Sequence, residues 1–354
     1  VRDTLLGLAV KDIDMATTLA PAEVIARLTA AGIRSVPTGL AHGTVTALTA
    51  GGPVEITTLR RDVSTDGRHA TVAFSRNWQE DAARRDFTIN ALYAEPATLA
   101  VHDYFGGLAD LAARRLRFIG EAEARIREDY LRILRYFRFQ ARFGSLPADP
   151  AAETACSALA AGLKGLSRER IASELLALLA LPDPAPTVLR MAELGVLAVI
   201  LPEADPAALP ALLAAEEAND KRAMPLRRLA ALLPADPALA EQIAARLRLS
   251  IAQRKHLAFV AARTQPEAPL RPLAYRVGLE AAIDRALIAG GSTAPLDGWH
   301  IPRFPLKGGD VVARGVTAGP QVAATLRAVE EAWIAAGFND DAVPALLDEA
   351  LRKQ

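Results

Sequence analysis

The pattern of apolar and polar positions changes near residue 110. Before it, short apolar and β-branched runs at 43–48, 54–59 and 70–74 are separated by glycine-containing turns, which reads as strands. After it, alanine- and leucine-rich stretches repeat at helical spacing, punctuated by prolines at 147, 150, 182, 184, 186, 202, 206 and 210. The pattern predicts an α+β chain, with a small mixed-sheet head followed by stacked helical segments. The helical part shares composition without a strict repeat, so a regular solenoid is not demanded.

Inside the head, Asp12 and Asp14 flank Ile13. Strand side chains alternate, so the two carboxylates project together while Ile13 and Met15 turn to the core. Such a pair can hold divalent metal, and two Mg²⁺ ions roughly 3.5–4 Å apart are a device of phosphoryl transfer. An exposed strand end can carry the same doublet by chance, so its meaning depends on its surroundings. In the run at 54–59, Val54 and Ile56 would face the core. Glu55 then stands on a neighbouring strand as a third acid, or as an ordinary solvated carboxylate.

Composition sets wider bounds. At 354 residues and 51% apolar content the chain has room for two or three domains and is not disordered. No run approaches 18 uninterrupted apolar residues and no signal peptide is visible, so a soluble chain without a membrane partner is expected. One cysteine, Cys156, excludes a disulfide framework and fits a reducing cytoplasm. Net charge is zero, yet residues 114–142 hold nine arginines against four acids. A local basic stripe can follow a phosphate backbone, or it can be a solvated helix face.

Read as one helix, 128–143 places Glu128, Asp129, Arg132 and Arg135 on a broad face with Arg142, and Arg138 at its edge. Tyr130, Leu134, Phe137 and Ala141 lie opposite. Asp129 and Arg132 are then neighbours, and a local ion pair of about 0.2–0.5 kcal/mol is the plain reading. A sharper reading sets them against a nucleotide base. Arginine donates to the ring acceptor of cytosine or adenine, and the carboxylate accepts from the exocyclic amine. Uracil and guanine present a carbonyl there and lose that bond.

Four segments, in order, resemble the bacterial-type (class II) tRNA nucleotidyltransferase and poly(A) polymerase family, within the DNA polymerase beta nucleotidyltransferase superfamily. They are Val1-Arg2-Asp3 with Asp12-Ile13-Asp14, then residues 84–91 (Arg-Arg-Asp-Phe-Thr-Ile-Asn-Ala), then 103–107 (Asp-Tyr-Phe-Gly-Gly), then 128–132 (Glu-Asp-Tyr-Leu-Arg) running on to Phe143. The resemblance covers the chain to about Gly144. It implies an N-terminally truncated nucleotidyltransferase head over 1–110, a base-recognising neck over 111–175, a body over 176–265 and a tRNA-binding tail over 266–354, all helical after the head. The family's strand and Gly-Gly turn before Arg2 are absent, so the chain is expected to be a fragment.

By resemblance, Asp12 and Asp14 bind Mg²⁺ with Glu55 as third acid, and Arg2 and Arg85 hold the nucleotide. Asp86 and Asn90 hold the ribose or order the site, with Asp86 also expected to cap a helix starting at Phe87. Asp129 and Arg132, with Arg135 and Arg138, read the base. The polar stretch 60–68 is expected to be a mobile loop that favours complete CCA addition. Gly106 and Gly107 make a turn between head and neck without chemistry. Gly319-Pro320 opens a helix whose amides can meet an RNA phosphate, or simply punctuates the chain. The implied activity is template-free addition of C, C and A to the 3′ end of tRNA from CTP and ATP. The alternatives are a poly(A) polymerase of the same family and a non-catalytic RNA-binding relative.

Overall fold

The structure, a computed structural model, describes residues 1–10, 13–66, 69–263 and 269–353. The chain divides into two compact units, Val1–Pro206 and Ala207–Gln354. The division falls within the 176–265 stretch.

In the first unit, α1 (Arg2–Leu5) precedes a sheet made of β1 (Asp14–Thr17), β2 (Arg34–Gly39), β3 (Thr44–Thr49) and β4 (Gly52–Thr58), in the order β1-β4-β3-β2. β1 is parallel to β4 and the remaining pairs are antiparallel, so the sheet is mixed, as the sequence pattern predicts. α2 (Pro21–Ala30) packs against β2, β3 and β4. Val45 and Ala47 are buried and pair with Ile56 and Val54, which share their face. Ile13 and Met15 share the opposite parity to Asp14 but are 62% and 41% exposed. The expectation that they fill the core is corrected: among the described residues β1 is the edge of its sheet, with a neighbouring strand on one side only.

Two antiparallel ribbons follow, β5 (Arg60–Asp66) with β6 (His69–Phe74) and β7 (Leu92–Ala94) with β8 (Val101–Asp103). Between them lie α3 (Trp78–Ala83) and a 3-10 turn at Thr88–Asn90. The stretch expected as a loop is therefore strand β5 as far as Asp66, while Gly67 and Arg68 lie outside the described residues. Its polar residues hide the alternation that marks a half-buried strand, and the ladder to β6 supplies its backbone partners.

Beyond β8 the described part of this unit is helical: α4 (Gly107–Ala112), α5 (Ala122–Glu128), α6 (Leu131–Phe143), α7 (Pro150–Ala158), α8 (Arg168–Leu179), α9 (Ala185–Glu193) and α10 (Val196–Ile200). The sharp bend before α4 needs its glycines. Gly106 has φ +78°, and the Asp103 carboxylate accepts the amides of Gly107 and Leu108, each at 2.9 Å. A Cβ on Gly107 would stand 2.3 Å from the Thr88 carbonyl oxygen.

The α6 residues between its arginines are buried, including Ile133, Leu134, Tyr136, Phe137 and Phe139. Tyr136 stacks on Phe118 with centroids 5.8 Å apart, and Phe139 lies 5.4 Å from the buried Phe87. This aromatic layer fastens α6 to the 84–91 segment.

The second unit contains helices from α11 (Ala208–Ala218) to α19 (Val343–Arg352). One of its cores surrounds the fully buried Trp333, with Val311, Val329 and Leu347. A buried ionic chain runs through another part: Arg228 to Glu216 at 2.7 Å, Glu216 to Arg227 at 2.9 Å, Arg227 to Asp284 at 2.6 Å, and Asp284 to His256 at 2.7 Å. Buried charges persist when each has a partner, and these do.

Candidate active site

Asp14 and Glu55 are Cα partners in the parallel pairing of β1 with β4. In-register residues on adjacent strands point to the same face, so the two carboxylates stand side by side, both exposed. Thr46 pairs with Glu55 from the other side and exchanges a 2.8 Å hydrogen bond with Thr38. Exposed carboxylate oxygens are the hard donors that Mg²⁺ accepts, so this face fits a divalent cation. Asp12 lies outside the described residues. Among those described, no group of three or more His, Cys, Asp or Glu side chains is gathered as a metal site.

Asp86 is the hub of a second cluster. It is 8% exposed. Its Oδ1 accepts from the Phe87 amide at 2.9 Å and from Asn90 Nδ2 at 2.8 Å, and its Oδ2 accepts from Arg135 Nε at 2.8 Å. Burial alone would raise this carboxyl, but Arg135, Asn90 and the Phe87 amide outweigh it and hold Asp86 below the ordinary aspartate range. Asp86 does not cap an α-helix starting at Phe87. The chain makes only a 3-10 turn there, because the carboxylate is drawn toward Asn90 and α6.

Arg2 joins this cluster by donating to Asn90 Oδ1. It also pairs with Asp3 and lies 4.1 Å over the Phe143 ring. Burial pushes its guanidinium below the ordinary value, with Asp3 opposing.

Arg85 donates to the Asn90 carbonyl at 3.3 Å and lies 5.1 Å over the Tyr93 ring. Its Nη2 lies 3.4 Å from Asp81, and its buried Nε has no hydrogen-bond partner among the described residues. Behind it sits Asp81, 2% exposed. Asp81 accepts from Arg84 Nε at 2.9 Å, Tyr93 Oη at 2.6 Å and the Arg60 amide at 3.1 Å. Burial acts to raise it, and Arg84 with Tyr93 overcomes this and lowers it.

The 128–143 stretch is not one helix. Asp129 adopts φ −155° and ψ 106°, which ends α5, and α6 begins at Leu131. The two remain neighbours, with the Arg132 amide donating to the Asp129 carbonyl at 3.0 Å, but their side chains take other partners. Asp129 accepts the Leu131 amide at 3.1 Å and pairs with Arg170 of α8 at 2.5 Å. Arg132 pairs with Glu128 and donates to the Arg125 carbonyl at 2.8 Å. Arg138 pairs with Glu174 at 2.6 Å, and Arg135 Nη1 stands 3.8 Å from the same carboxylate.

The local basic excess is also offset. Apart from Arg114, each arginine between 114 and 142 has an acidic partner among the described residues. Asp3, Asp86, Asp110 and Glu174 come from outside the segment, so it is a neutralised lattice rather than a bare cationic stripe.

A family model described as "Poly A polymerase head domain" matches residues 1–117, and one described as "Probable RNA and SrmB- binding site of polymerase A" matches 148–208. The chain is 36% identical to mouse CCA tRNA nucleotidyltransferase 1, mitochondrial, over 96% of its own length and 82% of that protein. The chain belongs to the CCA tRNA nucleotidyltransferase family. The human enzyme of the same name matches at 36% identity over 96% of this chain and 82% of its own. The crystal structure of the Bacillus stearothermophilus CCA-adding enzyme in complex with CTP superposes with a TM-score of 0.77 at 25% identity, covering 99% of this chain and 91% of that one.

Against the family's motifs, the structure gathers Arg2, Asp86, Asn90 and Arg135 into one connected cluster. It pairs Asp14 with Glu55, and gives the side chains of Asp129 and Arg132 different partners, although the Arg132 amide donates to the Asp129 carbonyl at 3.0 Å. Sequence reasoning missed Asp81, Arg170 and Glu174. Asp81 had a visible signal, since Arg84 and Arg85 follow at helical spacings of three and four. Arg170 and Glu174 act across tertiary contacts about 40 residues from their partners, and local pattern carries no such information.

Proposed function

We propose that this chain adds C, C and A to the 3′ end of tRNA, using CTP and ATP, releasing pyrophosphate and needing no nucleic-acid template. The observation that carries this reading is the in-register pair Asp14 and Glu55, set in a head tied by Asp86 and Arg135 to helix α6. The names of the mouse and human relatives, matched along nearly the whole chain, support the tRNA substrate.

Asp14 and Glu55, with Asp12, are the carboxylates that would hold Mg²⁺. When bound, the metal would acidify the attacking 3′-hydroxyl and neutralise phosphate charge. Arg85 and Arg2 bind the triphosphate. Asp86 and Asn90 hold Arg2 and Arg135 in place and keep the nucleotide pocket ordered. Asp129 accepts from the exocyclic amine of cytosine or adenine, since Arg170 and the Leu131 amide leave lone pairs on both its oxygens. Arg132 donates to the ring nitrogen, and Arg135 and Arg138 buttress this face. Uracil and guanine set an acceptor against Asp129 and are rejected.

The segments 1–110, 111–175, 176–265 and 266–354 serve as head, neck, body and tail, with the helices after Gly144 taking the tRNA by shape and phosphate contacts. Among the described residues no helix is long and apolar enough to cross a membrane. The free, buried Cys156 is compatible with the reducing cytoplasm as the working compartment.

The test is incorporation of labelled CTP and ATP into tRNA lacking its CCA end, resolved to single nucleotides. A product stopping at plus three supports the reading. A long A ladder would instead indicate the poly(A) polymerase of the same family. No incorporation would favour an RNA-binding role without catalysis.

A further inference from the structure

We propose that Arg170 and Glu174 of α8 are positioning residues that set nucleotide selectivity by fixing the base-reading groups on α5 and α6. The inference rests on the reading of Asp129 and Arg132 as those groups.

The starting point is the break between α5 and α6. A carboxylate inside a continuous helix is oriented by its backbone, but Asp129 sits where the chain is extended. The arginine three residues on, Arg132, is engaged by Glu128 and the Arg125 carbonyl. The direction of the Asp129 carboxylate is instead set from outside, by Arg170 on Oδ2 and the Leu131 amide on Oδ1. Both members of the Asp129–Arg170 pair are only about one-fifth exposed, so this is a partly desolvated, charge-assisted contact rather than a loose surface pair.

Glu174 lies one helical turn beyond Arg170 on the same face of α8. Its Oε2 accepts from Arg138 Nε at 2.6 Å, and its Oε1 stands 3.8 Å from Arg135 Nη1. It is 12% exposed. One face of α8 thus grips both sides of the break, Asp129 before it and Arg135 with Arg138 after it. The turn preceding α8 completes the seat. Gly162 packs so closely on Tyr130 that a Cβ there would lie 2.0 Å from the ring.

Discrimination between an amine and a carbonyl depends on where the acceptor is held, because a free carboxylate can rotate away from the wrong base. Without Arg170, the Asp129 carboxylate keeps only the Leu131 amide and is free to turn away from the base. Without the Glu174 charge, Arg135 and Arg138 are left as repelling neighbours three residues apart, and the face they support shifts. A displacement of about 1 Å can cost on the order of 100-fold in rate. The loss should fall hardest on the ratio between right and wrong nucleotides.

The experiment compares wild type, Arg170→Ala, Arg170→Lys, Glu174→Gln, Glu174→Asp and Asp129→Ala in the full chain. It measures kcat and KM for CTP, UTP, ATP and GTP on tRNA lacking CCA, with tRNA affinity and thermal melting alongside. Arg170→Ala and Glu174→Gln should lower CTP over UTP discrimination by about 10-fold or more. Arg170→Lys and Glu174→Asp should recover part of it, and tRNA affinity should hold. If Asp129→Ala relaxes selectivity while both α8 variants keep it, the positioning role is wrong and the base-reading role stands. If Asp129→Ala itself keeps selectivity, the base-reading role fails. Should Arg170→Ala not fold, Arg170→Lys and Glu174→Gln decide, and unchanged discrimination in both overturns the proposal.

Discussion

Asp86 and Arg135, 49 residues apart, are joined through two nitrogens of the guanidinium on a single carboxylate oxygen. This contact couples the 84–91 segment to helix α6, and Asn90 extends it to Arg2. Asp86 therefore links Arg2, the 84–91 segment and α6 in one hydrogen-bonded network.

Breaking that pair should be costly. Asp86→Ala leaves Arg135, about one-third exposed, without its main partner, and a loss of about 1–3 kcal/mol is expected. Urea denaturation should show a lower midpoint with an unchanged slope. A midpoint equal to wild type would mean that the contact contributes nothing.

Acid should act through the same group. Asp81, Asp86 and Asp103 are each held below the ordinary aspartate range, because arginine, tyrosine or backbone amide partners outweigh burial. In the unfolded chain they return to about 4. Their stabilisation is full above about pH 5 and is lost as pH falls through their lowered values. Stability measured from pH 7 to pH 3 should decline at the acid end, and Asp86→Asn should flatten part of that decline. An acid limb identical to wild type would refute the assignment.

Asp14→Ala should lower nucleotide incorporation by about 1,000-fold or more, given the several kcal/mol that metal-bound phosphoryl transfer draws from such a site. tRNA retention on a filter should be unaffected, since Asp14 lies at an exposed sheet edge. Glu55→Gln should give a smaller loss if Glu55 is the third acid, and none if it is only a solvated neighbour. Full activity in Asp14→Ala would remove Asp14 from the metal site.

Gly107→Ala tests the junction between head and helices. The added methyl meets a backbone carbonyl rather than a flexible side chain, so relief requires moving α4 away from the Thr88 turn. A loss of about 1–3 kcal/mol is expected. A variant as stable as wild type would show that the close approach is not needed.

Much of the site was legible in the sequence because its signals are local. The alternation around Val54 and Ile56 placed Glu55 on the face opposite the sheet core, and the in-register pairing with Asp14 agrees. The arginine spacing of α6 predicted a charged line distinct from its buried aromatic residues, but Arg132, Arg135 and Arg138 on that line are partly buried in ion pairs and only Arg142 is exposed. Strand β5 was missed because its polar residues mask the alternation.

What the sequence by itself determined is most of the elements, though neither strand β5 nor the break at Asp129, and the chemical groups along them, since hydrophobic period, glycine and proline positions and motif spacing all act within a few residues. What only the tertiary structure decided is who partners whom. Asp129 turned to Arg170 instead of Arg132, and Arg135 and Arg138 found Asp86 and Glu174. The physical reason is that an i,i+3 pair on a helix is worth only tenths of a kcal/mol. A partly buried, charge-assisted contact brought in by packing outweighs it, and no local pattern records which distant element will supply the charge.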